Sequence, residues 1–174
     1  MKKIDQGFLP ILGESPLVLI LGSMPSIKSL ESQQYYAHPQ NTFWWIMSEL
    51  FDFDLLEPYG VRTELLKQEK VAVWDVIQAC HRPGSLDSAI DSSSIQANDF
   101  SDLLSKNSSI KLVIFNGQAA QKIFKKYVLQ NNVVESTAHD FSGDFLVMPS
   151  TSPANAATKR EMKLQRWRAL SAYL

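Results

Sequence analysis

The sequence predicts an α/β protein of three layers, with helices on both faces of a short, mostly parallel central sheet. Three observations predict it. Short apolar runs at 17–21, 71–74, 111–115 and 145–148 have the length of buried strands. Segments with helical spacing of apolar residues separate them, as crossovers between parallel strands require. The first and last runs each open into a polar turn, Gly22-Ser-Met-Pro-Ser26 and Met148-Pro-Ser-Thr-Ser-Pro-Ala-Asn155, so both turns are expected at one crevice beyond the strands' carboxyl ends.

Residues 1–16 are expected to form an arm in which Pro10 and Pro16 limit regular structure. After the strand at 17–21, Pro25 stops the strand from continuing, and a loop through Asn41 is long enough to fold over a small substrate. Phe43, Trp44, Ile46, Met47 and Leu50 then predict a packed helix over 42–50. A polar stretch at 62–70 reads as a helix before the strand at 71–74, with Asp75 just beyond it. Turn formers fill 80–87, Ser92, Ser93 and Ser94 prolong the loop, and Asn98 or Ser101 is placed to cap a short helix before Ile110. Asn116-Gly117 turns the strand at 111–115 into a helix over 118–129, whose buried stripe is expected at Ala119, Ile123 and Tyr127, with Lys122, Lys125 and Lys126 facing solvent or phosphate. After the strand at 145–148, Pro153 suits the first turn of a final helix capped by Ser152.

A chain of 174 residues fits one domain spanning 1–174. Its net charge of -1 argues against indiscriminate coating of polyanions but leaves room for a local basic surface. The single cysteine, Cys80, forms no internal disulfide and no thiolate cluster, which fits a reducing compartment. No apolar run approaches the roughly 18 residues of a spanning helix, and no export pattern follows Met-Lys-Lys, so cytoplasmic residence and no membrane partner are expected. His38, His81 and His139 have no neighbouring ligand pattern, and Gly22-Ser-Met-Pro25 departs from dinucleotide spacing; neither a metal nor another cofactor is expected.

Asn41 has two readings: a cap for the helix at 42–50, or a carboxamide that orients water. Tyr35, Tyr36 and Phe43 suit either a packed lid or an aromatic enclosure for a flat ring. Asn116 is either a turn residue or a reader of a donor–acceptor edge. Ser150, Ser152 and Asn155 suit turn roles, or contacts to a phosphate or a leaving group. Lys159, Lys163 and Arg166, at about one-turn spacing and flanked by Arg160, suit a solvated or a phosphate-facing helix side; Arg82, beside Pro83-Gly84, is a further phosphate candidate.

In order along nearly the whole chain, Gly22-Ser-Met-Pro-Ser26, Tyr35-Tyr-Ala-His-Pro-Gln-Asn-Thr-Phe-Trp44, Trp74-Asp75, Cys80-His-Arg-Pro-Gly-Ser-Leu-Asp87, Asn98-Asp-Phe100, Phe115-Asn-Gly117 and Pro149-Ser-Thr-Ser-Pro-Ala-Asn155 resemble the uracil-DNA glycosylase superfamily, and within it the hypoxanthine-DNA glycosylase branch. The resemblance implies a uracil-DNA glycosylase-like fold that accepts a flipped base and hydrolyses its N-glycosidic bond. It implies a strand-end base pocket at Gly22, Ser23, Met24 and Pro25, and a catalytic role for Asn41. Other branches carry an aspartate or asparagine where Met24 stands, and Met24 cannot hold water. Several branches also use a histidine in the second motif to stabilise the departing base; residues 149–155 contain none, so that hydrogen bond and broad uracil activity do not carry over.

The implied activity is monofunctional excision of hypoxanthine from deoxyinosine in base excision repair, with DNA containing a deaminated base as partner and abasic-site repair enzymes downstream. The alternatives are mismatch-associated uracil excision and a nonenzymatic module that binds damaged nucleic acid. A monomer is expected, in a bacterial-like cytoplasm with the DNA, or in the nucleus of a eukaryote.

Overall fold

The computed structural model describes residues 3–130 and 141–174; His139 lies outside the described residues. In chain order the strands are β1 (Asp5–Gln6), β2 (Val18–Gly22), β3 (Val71–Asp75), β4 (Ile77–Cys80), β5 (Gln96–Ala97), β6 (Leu112–Asn116) and β7 (Asp144–Met148). The α-helices are α1 (Ile27–Ser32), α2 (Phe43–Phe51), α3 (Tyr59–Gln68), α4 (Phe100–Lys106), α5 (Gln118–Phe124) and α6 (Arg160–Trp167).

Four strands form a parallel sheet in the order β3-β2-β6-β7. Every residue of β2 and β3 is buried, which is why both read as unbroken apolar runs rather than as alternation. The registers Leu21↔Trp74 and Leu21↔Phe115 set these side chains in one row, on a face covered by Phe100 of α4 and Phe124 of α5. The opposite face carries α2 and α6, where Phe43 meets Trp44 and Trp167 edge-on. Helices on both sides of a parallel sheet give the three layers that the sequence predicts.

The segment before β2 is stitched to the sheet. Ile11 exchanges two backbone hydrogen bonds with Val73, 2.8 and 2.9 Å, and so occupies the outer edge of β3. Asp5–Gln6 pairs with β4 in a second, antiparallel sheet of order β1-β4-β5. That sheet has no counterpart in the sequence reading, because its strands of two to four residues are too short for periodicity to register.

Three helical expectations change. The loop after Gly22 contains α1, capped by Ser26, whose hydroxyl accepts from the Ser29 amide at 3.2 Å. The buried positions of α5 are Ala120 and Phe124, one residue on from the predicted stripe; its entry turn at Gly117, φ +100°, sets a phase that adjacent apolar stripes leave open. From Lys125 the helix widens into a π turn ending at Leu129. The last helix starts at Arg160 rather than after Ser152. The polar groups of 150–155 bond to one another instead: the Ser152 hydroxyl accepts from the Ala154 amide, and the Asn155 carboxamide donates to the Ser150 carbonyl.

Trp167 is fully buried under Phe43, and its indole donates to the Pro149 carbonyl at 3.0 Å, which ties α6 to the start of the second polar turn. Trp167→Ala is expected to cost about 3–5 kcal/mol. Trp167→Phe, which keeps most of the ring volume and loses the hydrogen bond, is expected to cost less; urea denaturation of the two variants measures the difference.

Candidate active site

The parallel registers bring the two polar turns to one edge of the sheet. Gly22 pairs with Asp75 and Asn116 with Met148, so the ends of β3, β2 and β6 present Asp75, Gly22 and Asn116 on one face, beyond which both loops fold. A cavity of about 90 Å³ lies there, lined by Gly22, Ser23, Met24 and Pro25 from the first loop and by Ser150, Thr151 and Ser152 from the second. Tyr35, Tyr36, Asn41, Asp75, Asp87 and Asn116 complete its chemically important wall. A larger hollow of about 830 Å³ lies beyond the second loop, but among the described residues no acid or histidine lines it. The smaller cavity holds the reactive groups.

Thr151, with no exposed surface, fastens the loops together. Its amide donates to Asn116 Oδ1 at 2.8 Å and its hydroxyl accepts from Asn116 Nδ2 at 2.9 Å. Its carbonyl takes the Thr42 amide at 3.0 Å and the Thr42 hydroxyl at 3.2 Å. Asn116 thus holds the second loop with both ends of its carboxamide, which limits it as an edge reader. Gly117 lets this happen: a Cβ there would lie 2.8 Å from the Ser150 Cβ.

Asn41 unites the two roles that the sequence leaves open. Its Oδ1 accepts the Phe43 amide at 3.0 Å at the entry of α2, and its side chain lines the cavity. A carboxamide oxygen has two acceptor sites, so the cap fixes the group's direction and leaves one site for a water.

Tyr36 sits at φ 57°, a left-handed conformation that costs an L-residue roughly 1–2 kcal/mol. The conformation stacks its ring on Phe43, centroids 3.9 Å apart, and buries its hydroxyl without a hydrogen-bond partner among the described residues. Burial, then the Asp75 carboxylate, push its pKa up; the Asn116 amide approaches the hydroxyl and softens the shift without reaching hydrogen-bond geometry. Asp75 is 3% exposed, and its Oδ2 likewise has no partner among the described residues. A Cβ at Gly22 would lie 2.3 Å from Asp75 Oδ1 and 3.3 Å from the Tyr36 hydroxyl, so glycine is what lets the carboxyl lie across β2. Burial first, and then Asp87, raise the Asp75 pKa to about 7 against the counter-pull of Arg82.

Several residues singled out by sequence sit elsewhere. Phe43 is fully buried behind Tyr36 and offers no surface for a base. The Tyr35 hydroxyl donates to the Leu9 carbonyl at 3.2 Å, so the residue walls the cavity as part of the core. Asn155 braces its own loop and faces the larger hollow. Arg82, 4% exposed, is not a phosphate contact: its guanidinium donates to the Pro25 carbonyl and lies 3.9 Å from Asp5. Lys163, 3% exposed, turns inward to the Ser152 carbonyl at 3.4 Å and does not share an outer face with Lys159 and Arg166. Lys159, Arg160 and Arg166 are exposed. Arg160 lies over the Trp45 ring at 4.8 Å, in a groove of about 450 Å³ that reaches Asn41 and also carries Arg62 over Trp44 at 4.6 Å. Arg62 escaped the sequence reading because nothing local distinguishes it from a solvated helix charge. Asp75 and Asp87 were visible only as members of motifs. The Ser23 hydroxyl donates to Asp87 at 2.6 Å, which folds 80–87 over the first loop. Among the described residues no cluster of three His, Cys, Asp or Glu is placed to hold a metal ion, and no helix is long and apolar enough to cross a membrane.

Two stability measurements follow from this geometry. Thr151→Val strands the Asn116 amide and is expected to cost about 1–3 kcal/mol in urea denaturation. Asp75 titrates at about 7 folded against 3.8 as an unperturbed group, so between these values the folded chain keeps a proton that the unfolded chain has lost. Stability should therefore fall as pH rises through that window. Asp75→Asn should flatten the fall and stabilise the fold at pH 8, read as denaturation midpoints at pH 4, 6 and 8.

Comparison with known proteins gives the same arrangement a lineage. Residues 10–171 match the family model described as the uracil DNA glycosylase superfamily. A hypoxanthine DNA glycosylase of Methanosarcina acetivorans is 33% identical over 168 residues, covering 96% of this chain and 98% of that one. A hypoxanthine DNA glycosylase of Methanosarcina barkeri is 42% identical over 119 residues, 68% of this chain and 73% of the relative. The solution NMR structure of a Methanosarcina acetivorans protein proposed to be a uracil DNA glycosylase superposes with a TM-score of 0.76 at 31% identity, covering 97% of this chain and 99% of that one. With its four-stranded parallel sheet and two facing polar loops, the chain belongs to the uracil DNA glycosylase superfamily, in its hypoxanthine DNA glycosylase branch.

Proposed function

We propose that the chain is a monofunctional DNA glycosylase that hydrolyses the N-glycosidic bond of deoxyinosine, releases hypoxanthine and leaves an abasic site for base excision repair. The observation that carries the proposal is Asn41: a carboxamide held in direction by the α2 entry, on the wall of a narrow cavity formed by both family loops. The names of the two Methanosarcina relatives support hypoxanthine as the base.

The cavity is far smaller than the neighbouring groove, as expected of a ring flipped out of a strand that lies outside. As the bond to the base lengthens, the sugar gains oxocarbenium character and the base gains negative charge. Asn41 accepts a hydrogen bond from water through its remaining oxygen lone pair and directs that water to the sugar carbon. A carboxamide is no base at neutral pH, so its contribution is placement. Tyr36, backed by Phe43, supplies a fixed aromatic wall. Among the described residues no lysine lines the cavity, which supports hydrolysis over an enzyme-linked imine.

The groove outside Asn41 suits the DNA strand. Arg160 and Arg62 are laid on Trp45 and Trp44, so two guanidinium groups are held in place for phosphate rather than swinging free. Lys159 adjoins them. The chain would act as a monomer where the DNA is, in a bacterial-like cytoplasm or a nucleus.

The test measures free base and abasic sites from single- and double-stranded DNA containing deoxyinosine, deoxyuridine or deoxyxanthosine. Hypoxanthine release is expected, falling by roughly 10²-fold or more in Asn41→Ala, the scale of losing one positioned catalytic group, while DNA binding persists. Dominant uracil release moves the substrate to the mismatch-uracil alternative. Binding without any base release replaces the enzyme with a recognition module.

A further inference from the structure

The hydrolysis leaves one need unmet. A base leaves most readily when a donor on the cavity wall also passes it a proton, and residues 149–155 offer Ser150, Thr151, Ser152 and Asn155 but no histidine. Thr151 is spent on Asn116 and Thr42, Asn155 faces away, and the Ser150 and Ser152 hydroxyls line the cavity and can donate a hydrogen bond but do not give up a proton near neutrality. Asn116 is spent on Thr151, and Asn41 serves the water.

The ionisable groups on the cavity wall are Tyr35, Tyr36, Asp75 and Asp87. Tyr35 donates to the Leu9 carbonyl, and burial pushes both tyrosine pKa values up, so neither phenol releases its proton near neutrality. Asp87 is exposed and already accepts from Ser23. Asp75 differs from all three. It stands at the end of a fully buried strand, fixed in register beside Gly22, and its backbone carbonyl takes the Asn98 carboxamide at 2.8 Å. The residue lines the cavity, its Oδ2 is buried without a partner among the described residues, and its Oδ1 lies against a glycine whose missing Cβ gives the carboxyl its place. A buried carboxyl oxygen without a partner adds nothing to stability, and a polar group of a bound ligand would complete it.

We infer that Asp75 is a second catalytic residue of this glycosylase, the acid whose Oδ2–H donates to the flipped base and protonates it as it leaves. The inference rests on the glycosylase reading. In the step, the C1′–N9 bond breaks and its electron pair goes to the purine, while the Oδ2 proton passes to an acceptor atom on the base, which departs neutral. Water held by Asn41 forms the C1′–O bond and loses one proton to solvent. Asp75, now a carboxylate, recovers a proton from solvent, so one water is consumed and the acid is restored. Burial and Asp87 keep this carboxyl protonated up to about pH 7, with Arg82 pulling the other way and the neutral phenols of Tyr35 and Tyr36 beside it. In this arrangement the acid enters from the sheet, through β3, rather than from the second loop.

The experiment is the single-turnover rate of hypoxanthine release from deoxyinosine DNA between pH 5.5 and 8.5, for the native chain, Asp75→Asn and Asp75→Ala. The native rate is expected to fall toward tenfold per pH unit above neutrality. Asp75→Asn keeps a donor but no transferable proton, so its rate should be flat with pH and roughly 10²-fold below native at pH 6. Asp75→Ala should be slower still, with DNA binding and thermal melting showing that both variants are folded. A native profile without an alkaline limb overturns the inference without recourse to any variant. So does Asp75→Asn with the native rate or the native limb, and in both cases the glycosylase reading survives. If the native chain releases no base while binding the DNA, the glycosylase reading fails, and this inference with it.

Discussion

The site depends on one side chain pair. Asn116, at the last position of β6, receives the amide of Thr151 and gives its own amide to the Thr151 hydroxyl, while the Thr151 carbonyl gathers the backbone and hydroxyl of Thr42. Four hydrogen bonds among three residues, 35 and 109 positions apart in sequence, thereby join a strand end, the second loop and the entry of α2, which Asn41 precedes. In a buried setting these bonds are worth more together than singly, since losing one leaves a polar group without water to replace its partner. The distance between the Asn41 side and the second-loop side of the cavity is set by this junction.

A second constraint is space. Gly22 and Gly117 each sit where a Cβ would strike a neighbour, the first against the Asp75 carboxyl and the second against Ser150. Close approach of backbone to side chain is what makes a cavity of this size possible with both loops packed. The same closeness has an energetic cost. Tyr36 adopts a left-handed conformation, and two buried oxygens, Tyr36 Oη and Asp75 Oδ2, lack partners among the described residues. Strain and unsatisfied groups gathered at one wall are the pattern of a site that is completed by its ligand.

The charges of the chain divide by the same logic. Arg82 and Lys163 look like their surface counterparts in sequence, yet both lie inside and hold loop carbonyls, Pro25 for one and Ser152 for the other. Arg62 and Arg160 lie flat on tryptophans at the rim. Of the four, the inward pair shapes the two loops and the outward pair faces the groove, so a net charge of -1 conceals a local cationic surface beside the cavity.

The parallel sheet was legible in the sequence because β2, β3 and β6 are buried up to their final residues and are therefore apolar up to Gly22, Asp75 and Asn116, and the two polar turns were legible because glycine and proline mark where strands stop. The sequence also singled out Asn41, Tyr36 and the Gly22 loop as one ordered set of motifs, and these do line a common cavity. It did not reach α1 or the small antiparallel sheet, whose elements are shorter than a readable period, nor the start of α6, because residues 150–155 satisfy their polar groups locally instead of opening a helix. Which polar residues are free and which are spent emerges once the chain is folded. Asn116 looks available until Thr151 is folded onto it, and Asp75 looks like an ordinary strand end until burial, Gly22 and the lack of a partner for Oδ2 among the described residues set it apart. The physical reason is that hydrogen-bond occupancy and desolvation depend on partners distant in the chain, whereas propensity and hydrophobic period depend on neighbours.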